Sequence, residues 1–101
     1  MKKFHLALSV AEIEQSIIEY SKRLGGPPTV IIPNEYALWR TDTLNFSIRR
    51  SGEGVGMLRH LGWEDSQALR FETEKDVNGV LWERFTSEQQ AQEIEETWGQ
   101  K

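Results

Sequence analysis

Between residues 4 and 24 the spacing of large apolar side chains switches once, from every second residue to every third or fourth, and that switch dictates how the chain begins to fold. Phe4, Leu6, Leu8 and Val10 alternate with His5, Ala7 and Ser9, the period of a strand with one apolar face. Ile13, Ile17, Tyr20 and Leu24 then recur at four, three and four residues, the stripe of an amphipathic helix. Ser9 and Glu12 form an S-x-x-E capping box, which predicts a helix start near Ser9 or Val10, and Gly25-Gly26-Pro27-Pro28 ends the helix. Strand-like runs follow at residues 29–32, 36–41 and 44–49, separated by Pro33-Asn34 and Thr41-Asp42-Thr43. Residues 1–50 therefore read as a complete βαβββ module.

The glycine-spaced segment Ser51-Gly52-Glu53-Gly54-Val55-Gly56 joins this module to a second, shorter one, and it lacks the strand-to-helix setting of a phosphate loop. Residues 57–63 form a strand that places Leu58, His60 and Gly62 on one face and Arg59, Leu61 and Trp63 on the other. Residues 69–73 and 80–86 pair as a hairpin across Asn78-Gly79, with Leu81, Glu83 and Phe85 sharing a face. The tail, residues 87–98, is helical, with a capping box of Ser87 and Gln90 and a thin stripe of Ala91, Ile94 and Trp98. The expected fold is α+β in one domain of residues 1–101: the module of 1–50, a truncated second module at 57–86 and a C-terminal helix at 87–98. A chain of 101 residues is too short for two independent cores.

The chain has two histidines, His5 and His60, and both interrupt apolar strands where valine would be the simpler choice. With Glu83, an isolated carboxylate between Leu81 and Phe85 that is costly to bury unpaired, they make a two-histidine, one-carboxylate ligand set. Such a set takes a divalent ion, Fe(II) or Mn(II) by preference with Ni(II) or Zn(II) as alternatives, and leaves coordination positions open. The competing reading is structural: histidines hydrogen-bonded within the sheet, and Glu83 paired with Arg84 or Arg70. Asn45, Ser47 and Arg49 form a polar row opposite Leu44, Phe46 and Ile48, suited to lining a substrate cavity. Affinity for the ion is expected to fall below about pH 6 as the histidines take up protons.

Composition removes other classes. A net charge of −4 with 28% charged residues offers no broad basic surface for nucleic acid or anionic lipid, and no apolar run approaches the roughly 20 residues of a membrane span. The absence of cysteine excludes thiolate ligands and a cysteine nucleophile, and fits a cytoplasmic protein. The start, Met1-Lys2-Lys3 and an apolar run, reads as a first strand rather than a signal peptide, because His5 breaks the run and Glu12 and Glu14 follow it.

The segments His5-Leu6-Ala7-Leu8-Ser9-Val10, Tyr20-Ser21-Lys22-Arg23-Leu24-Gly25, Leu44-Asn45-Phe46-Ser47-Ile48, His60-Leu61-Gly62 and Asp76-Val77-Asn78-Gly79-Val80-Leu81-Trp82-Glu83-Arg84-Phe85 together resemble the vicinal oxygen chelate superfamily of glyoxalases, extradiol dioxygenases and resistance proteins. The resemblance runs from Phe4 to about Phe85. It implies paired βαβββ modules and places His5, His60 and Glu83 at the family's metal-ligand positions. The last strand of the first module carries no carboxylate, so the three-ligand, dioxygenase-like or lyase-like members are the closer match. His60 and Glu83 stand only 23 positions apart, too few for a complete second module.

The resemblance implies a metal-dependent lyase or oxygenase acting on a small substrate with vicinal oxygens. Two other readings stand beside it: a metal-free small-molecule binder of the resistance type, and a non-catalytic interaction protein. The shortened second half would leave Leu61, Trp63 and Trp82 wet, which implies a homodimer or a cover from the C-terminal helix.

Overall fold

The computed structural model describes residues 2–99. Its elements are β1 (Lys2–Val10), α1 (Ile13–Leu24), β2 (Val30–Ile32), β3 (Tyr36–Arg40), β4 (Leu44–Arg50), β5 (Leu58–Asp65), β6 (Glu72–Lys75), β7 (Leu81–Phe85) and α2 (Ser87–Trp98). The strands make one mixed sheet in the order β2-β3-β4-β1-β5-β7-β6, and with its two helices the protein is α+β. β1 runs parallel to β4 and β5 runs parallel to β7, while β1 and β5 meet antiparallel at the centre. The half beyond β5 thus repeats the pairing of β1, β4 and β3 without a helix and without a fourth strand among the described residues. No helix among them is long and apolar enough to cross a membrane.

The sheet has a helix on each face. α1 packs its stripe against Trp39, Phe46 and Ile48, with Ile13 as its buried anchor and Ile17, Tyr20 and Leu24 closing over the edge. α2 crosses the opposite face, where Trp98 lies against Tyr36 with ring centres 4.7 Å apart and Gln90 is buried. This opposite face carries His5, Ala7 and Ser9 of β1 and Asn45 and Ser47 of β4, all buried. The alternation of β1 therefore marks two covered faces rather than one apolar and one wet.

Three local expectations are corrected by the structure. Ser9 does not cap α1: its backbone is held inside β1 by Met57 and Gly56, and the helix begins at Ile13 with Glu12 as a cap that makes no side-chain hydrogen bond. The C-terminal capping box is Thr86 with Gln89, one residue earlier than Ser87 with Gln90. The frame of α2 moves with it, so Ala91 is exposed and the inward stripe is Gln90, Ile94 and Trp98. The hairpin of β6 and β7 forms across residues 76–80, where the Asp76 carboxylate accepts from Asn78 N, Val80 N and the Trp82 indole, but Leu69 is 87% exposed and the strand starts only at Glu72.

At the centre Gly62 pairs with His5 on one side and Glu83 on the other. A Cβ built on it would sit 1.9 Å from the Glu83 carbonyl oxygen, and its φ of +157° is one that side chains rarely adopt. Only glycine lets β7 approach this closely. Gly62→Ala is expected to destabilise the fold by about 3 kcal/mol or more, read by urea denaturation, because backbone atoms cannot yield as a side-chain tip can.

Candidate metal centre

Three strands bring the ligand set together. His5 comes from β1, and His60 from β5, where it pairs with Ala7 and so shares the face of His5. Glu83 comes from β7, where it pairs with Gly62, the partner of His5, and so takes the same face. The three offer ligand atoms within 4.8 Å of one another. His60 Nε2 lies 3.1 Å from Glu83 Oε1 and His5 Nε2 lies 3.9 Å from it. Two bonds of about 2.1 Å to one ion set donor atoms roughly 3 Å apart, so the first pair already fits and the second must close by less than about 1 Å.

The tautomer of His5 is fixed by its surroundings. Its Nδ1 faces two acceptors, the Asn45 side-chain oxygen at 2.8 Å and the Asn45 carbonyl at 3.1 Å, so the proton sits on Nδ1. Nε2 is left with its lone pair, is buried, and has no hydrogen-bond partner among the described residues. Asn45 is in turn held by an amide pair: its Nδ2 donates to Gln90 Oε1 at 2.9 Å and to Glu64 Oε1 at 2.7 Å, and Gln90 Nε2 donates back at 3.2 Å. Arg40 closes the network through Glu64 and Gln90 at 2.9 and 2.7 Å. A ligand histidine oriented through its second nitrogen is the arrangement that metal sites use.

The arginine pairing of Glu83 does not form. Arg84 binds Asp65 at 2.9 Å and Arg70 lies beside Glu72 at 3.5 Å, which leaves the Glu83 carboxylate facing His60 and His5. Burial pushes the Glu83 carboxyl up to about 7, with Glu93 adding to the rise, and pushes His60 down to about 3, with the charges of His5 and Arg59 adding to the fall. Burial also lowers His5, against its bonds to Asn45. In the ion-free site the proton therefore resides on Glu83. This replaces the expectation that histidine protonation near pH 6 controls the site; the group that titrates is the carboxylate.

The polar row of β4 divides. Ser47 and Arg49 line a cavity of about 100 Å³ together with His5, His60 and Glu83, roofed by Ile94, Thr97 and Trp98 of α2. Asn45 does not line it; it is fully buried and serves His5 rather than a substrate. A larger depression of about 590 Å³ runs along β6 and β7 by Trp63, Phe71 and Trp82, but no histidine stands in its wall.

Two residues in the site escaped the sequence. Gln90 is assigned by its spacing from Ser87 to a capping box, whereas capping by Gln89 frees it to turn inward. Arg59 belongs by alternation to the face opposite His60, yet it lines the cavity, because β5 pairs His60 with Ala7 and Leu58 with Leu8, making Arg59 an extra residue in the ladder. The same bulge puts Leu58 on the face of Leu8, not of His60. Neither a model of a known protein family nor a curated protein matches this chain.

The Glu83 shift sets a stability test. Its ordinary value is 4.5 and its folded value about 7, so the folded ion-free protein binds that proton more tightly than the unfolded chain does. The cost of the buried carboxylate is absent below about pH 4.5 and fully present above about pH 7. The histidines act in the opposite sense: their depressed values remove stability as the pH falls below 6.5, for His60 down to about 3. Glu83→Gln is expected to raise the stability of ion-free protein by on the order of 2 kcal/mol at pH 8 and to add nothing through this route at pH 4.5. Denaturant melts at the two pH values check it; equal effects at both would show that the buried charge is not the cause.

Proposed function

We propose that this chain is a divalent-metal protein of the vicinal oxygen chelate type, acting as a metal-dependent lyase or dioxygenase-like enzyme on a small substrate with vicinal oxygens. The observation that carries this reading is His5 Nε2, a buried lone-pair nitrogen without a partner, sharing a face with His60 and Glu83. An unsatisfied buried polar atom costs about 1–3 kcal/mol, and an ion on the three ligands would satisfy it. Three ligands from one sheet face leave the side toward the cavity for substrate oxygens. Bound there, Fe(II) or Mn(II) would supply Lewis-acid polarisation of those oxygens.

The chain's own groups do the rest. Asn45 fixes the His5 ring, and the edge of His5 meets Phe85 at a ring separation of 5.0 Å, so the ligand cannot swing. Phe71, stacked on Phe85, and Trp98 keep one side of the cavity apolar. Tyr36 lines the wall with its phenol pushed up to about 12 by burial, so at neutral pH it stays protonated and can donate to a bound oxygen.

Calorimetric titration of ion-free protein with Fe(II), Mn(II), Ni(II) and Zn(II) tests the reading. One ion per site is expected, lost in His5→Ala, His60→Ala and Glu83→Ala, with close to one proton released at pH 6 because the ion displaces the proton on Glu83. No heat with any of the four ions would end the proposal.

Association is part of the same reading. On the α1 side of the second half no helix of the described chain covers Leu61, Trp63 and Trp82; Trp63 is 37% exposed, with only the edge of Phe4 and the Lys2 ammonium against it. Met57 and Leu58 extend the apolar patch at 64% and 42% exposure. A homodimer through this face is expected, and light scattering should give twice the chain mass, reduced to the single mass in Trp63→Glu.

A further inference from the structure

Two guanidinium groups stand in the wall of the ligand cavity, and neither hydrogen-bonds or ion-pairs directly with another described residue. Arg49 lies over the Trp98 ring at 5.0 Å, a contact that holds its plane without using its donors. Arg59 is carried into the cavity by the β5 bulge and sits close enough to Arg49 for the two charges to repel, with Glu83 and Tyr36 as its other electrostatic neighbours. Two like charges directed into one small space, without a carboxylate bound to either, is an arrangement that folding alone disfavours. A regular ladder would have placed Arg59 on the other face.

The charge around the cavity points the same way. Its ionisable wall consists of Arg49, Arg59, Glu83 and Glu93 beside the two neutral histidines, so the guanidinium charges balance the carboxylates. A divalent ion on His5, His60 and Glu83 leaves two positive charges uncompensated in a space of about 100 Å³. That is well below the roughly 300–1,000 Å³ of sites that enclose drug-sized ligands, so the compensating group is small.

We infer that Arg59 and Arg49 form an anion subsite beside the metal centre, and that the ligand is a compact dianion with vicinal oxygens at one end and a second acidic group at the other. The inference rests on the metal-centre reading above and adds the substrate class to it. Arg59 is the specificity-determining residue: a guanidinium fork binds a planar carboxylate through two hydrogen bonds, while Arg49 contributes charge from its place on Trp98. Ser47, buried on the cavity wall between them and the ligand set, offers a hydroxyl to the middle of such a molecule.

The test compares malate with lactate, which chelate through the same 2-hydroxycarboxylate and differ by one carboxylate. In calorimetric titrations of Mn(II)-loaded protein malate should bind at least about tenfold more tightly than lactate. Arg59→Met and Arg49→Met should each bring malate toward lactate while Mn(II) content and lactate affinity stay unchanged, and Arg59→Lys should recover part of the preference. Equal affinity for the two acids in the parent protein, or a preference that survives both methionine variants, overturns the subsite and leaves the metal centre standing. If Mn(II) does not bind, the metal reading falls, and the same titration of ion-free protein decides the subsite: malate binding lost in Arg59→Met upholds it, and no malate binding overturns it.

Discussion

The bond from His5 Nδ1 to the Asn45 side chain is the interaction on which the site depends, because it converts a buried histidine into a ligand with a defined free nitrogen. Asn45 holds that orientation because its own amide is saturated: Gln90 from α2, Glu64 from β5 and, through them, Arg40 from β3 leave it no other rotamer that keeps all partners. Polar groups buried this deeply stabilise only as a complete set, since each unpaired member would cost more than a single bond contributes. The network thereby joins five elements at one point and makes the placement of α2 a condition of the ligand geometry rather than a separate packing event.

The two halves of the sheet contribute unequally. Asn45 stands on β4 beside His5 as Glu83 stands on β7 beside Gly62, so the related strands of the two halves present an amide in one case and a carboxylate in the other. The amide cannot serve as a charged ligand, and it takes the supporting role instead. The first half supplies α1 and the larger apolar core; the second supplies two ligands and the close strand contact that only Gly62 permits.

Much of this was legible in the chain because period-two alternation states face as well as strand. His5, His60 and Glu83 could be assigned to one side from Leu6/Leu8, Leu61/Trp63 and Leu81/Phe85 alone, and the helix stripe from Ile13 to Leu24 located α1 to within its first turn. Alternation fails wherever the ladder is irregular. The bulge at Arg59 has no composition signal, and counting through it put that arginine on the wrong face. Capping boxes fail for a related reason: Thr86-Gln89 and Ser87-Gln90 satisfy the same pattern one residue apart, and tertiary burial of Gln90 decides between them. Ser9 and Glu12 match the pattern too, but a strand already owns the backbone of Ser9.

The bulge also separates what the chain needs in order to fold from what its cavity selects. Leu58 opposes Leu8 and His60 opposes Ala7, which is how adjacent residues of a regular antiparallel pair would sit if position 59 were deleted. Residue 59 is thus an insertion with no ladder partner and no share in the apolar core, while its neighbours keep their faces with or without it. Substitution there changes the electrostatic character of the cavity at little expense to the sheet. A lineage carrying this architecture could retune its ligand at a single codon while the strands on either side remain in phase.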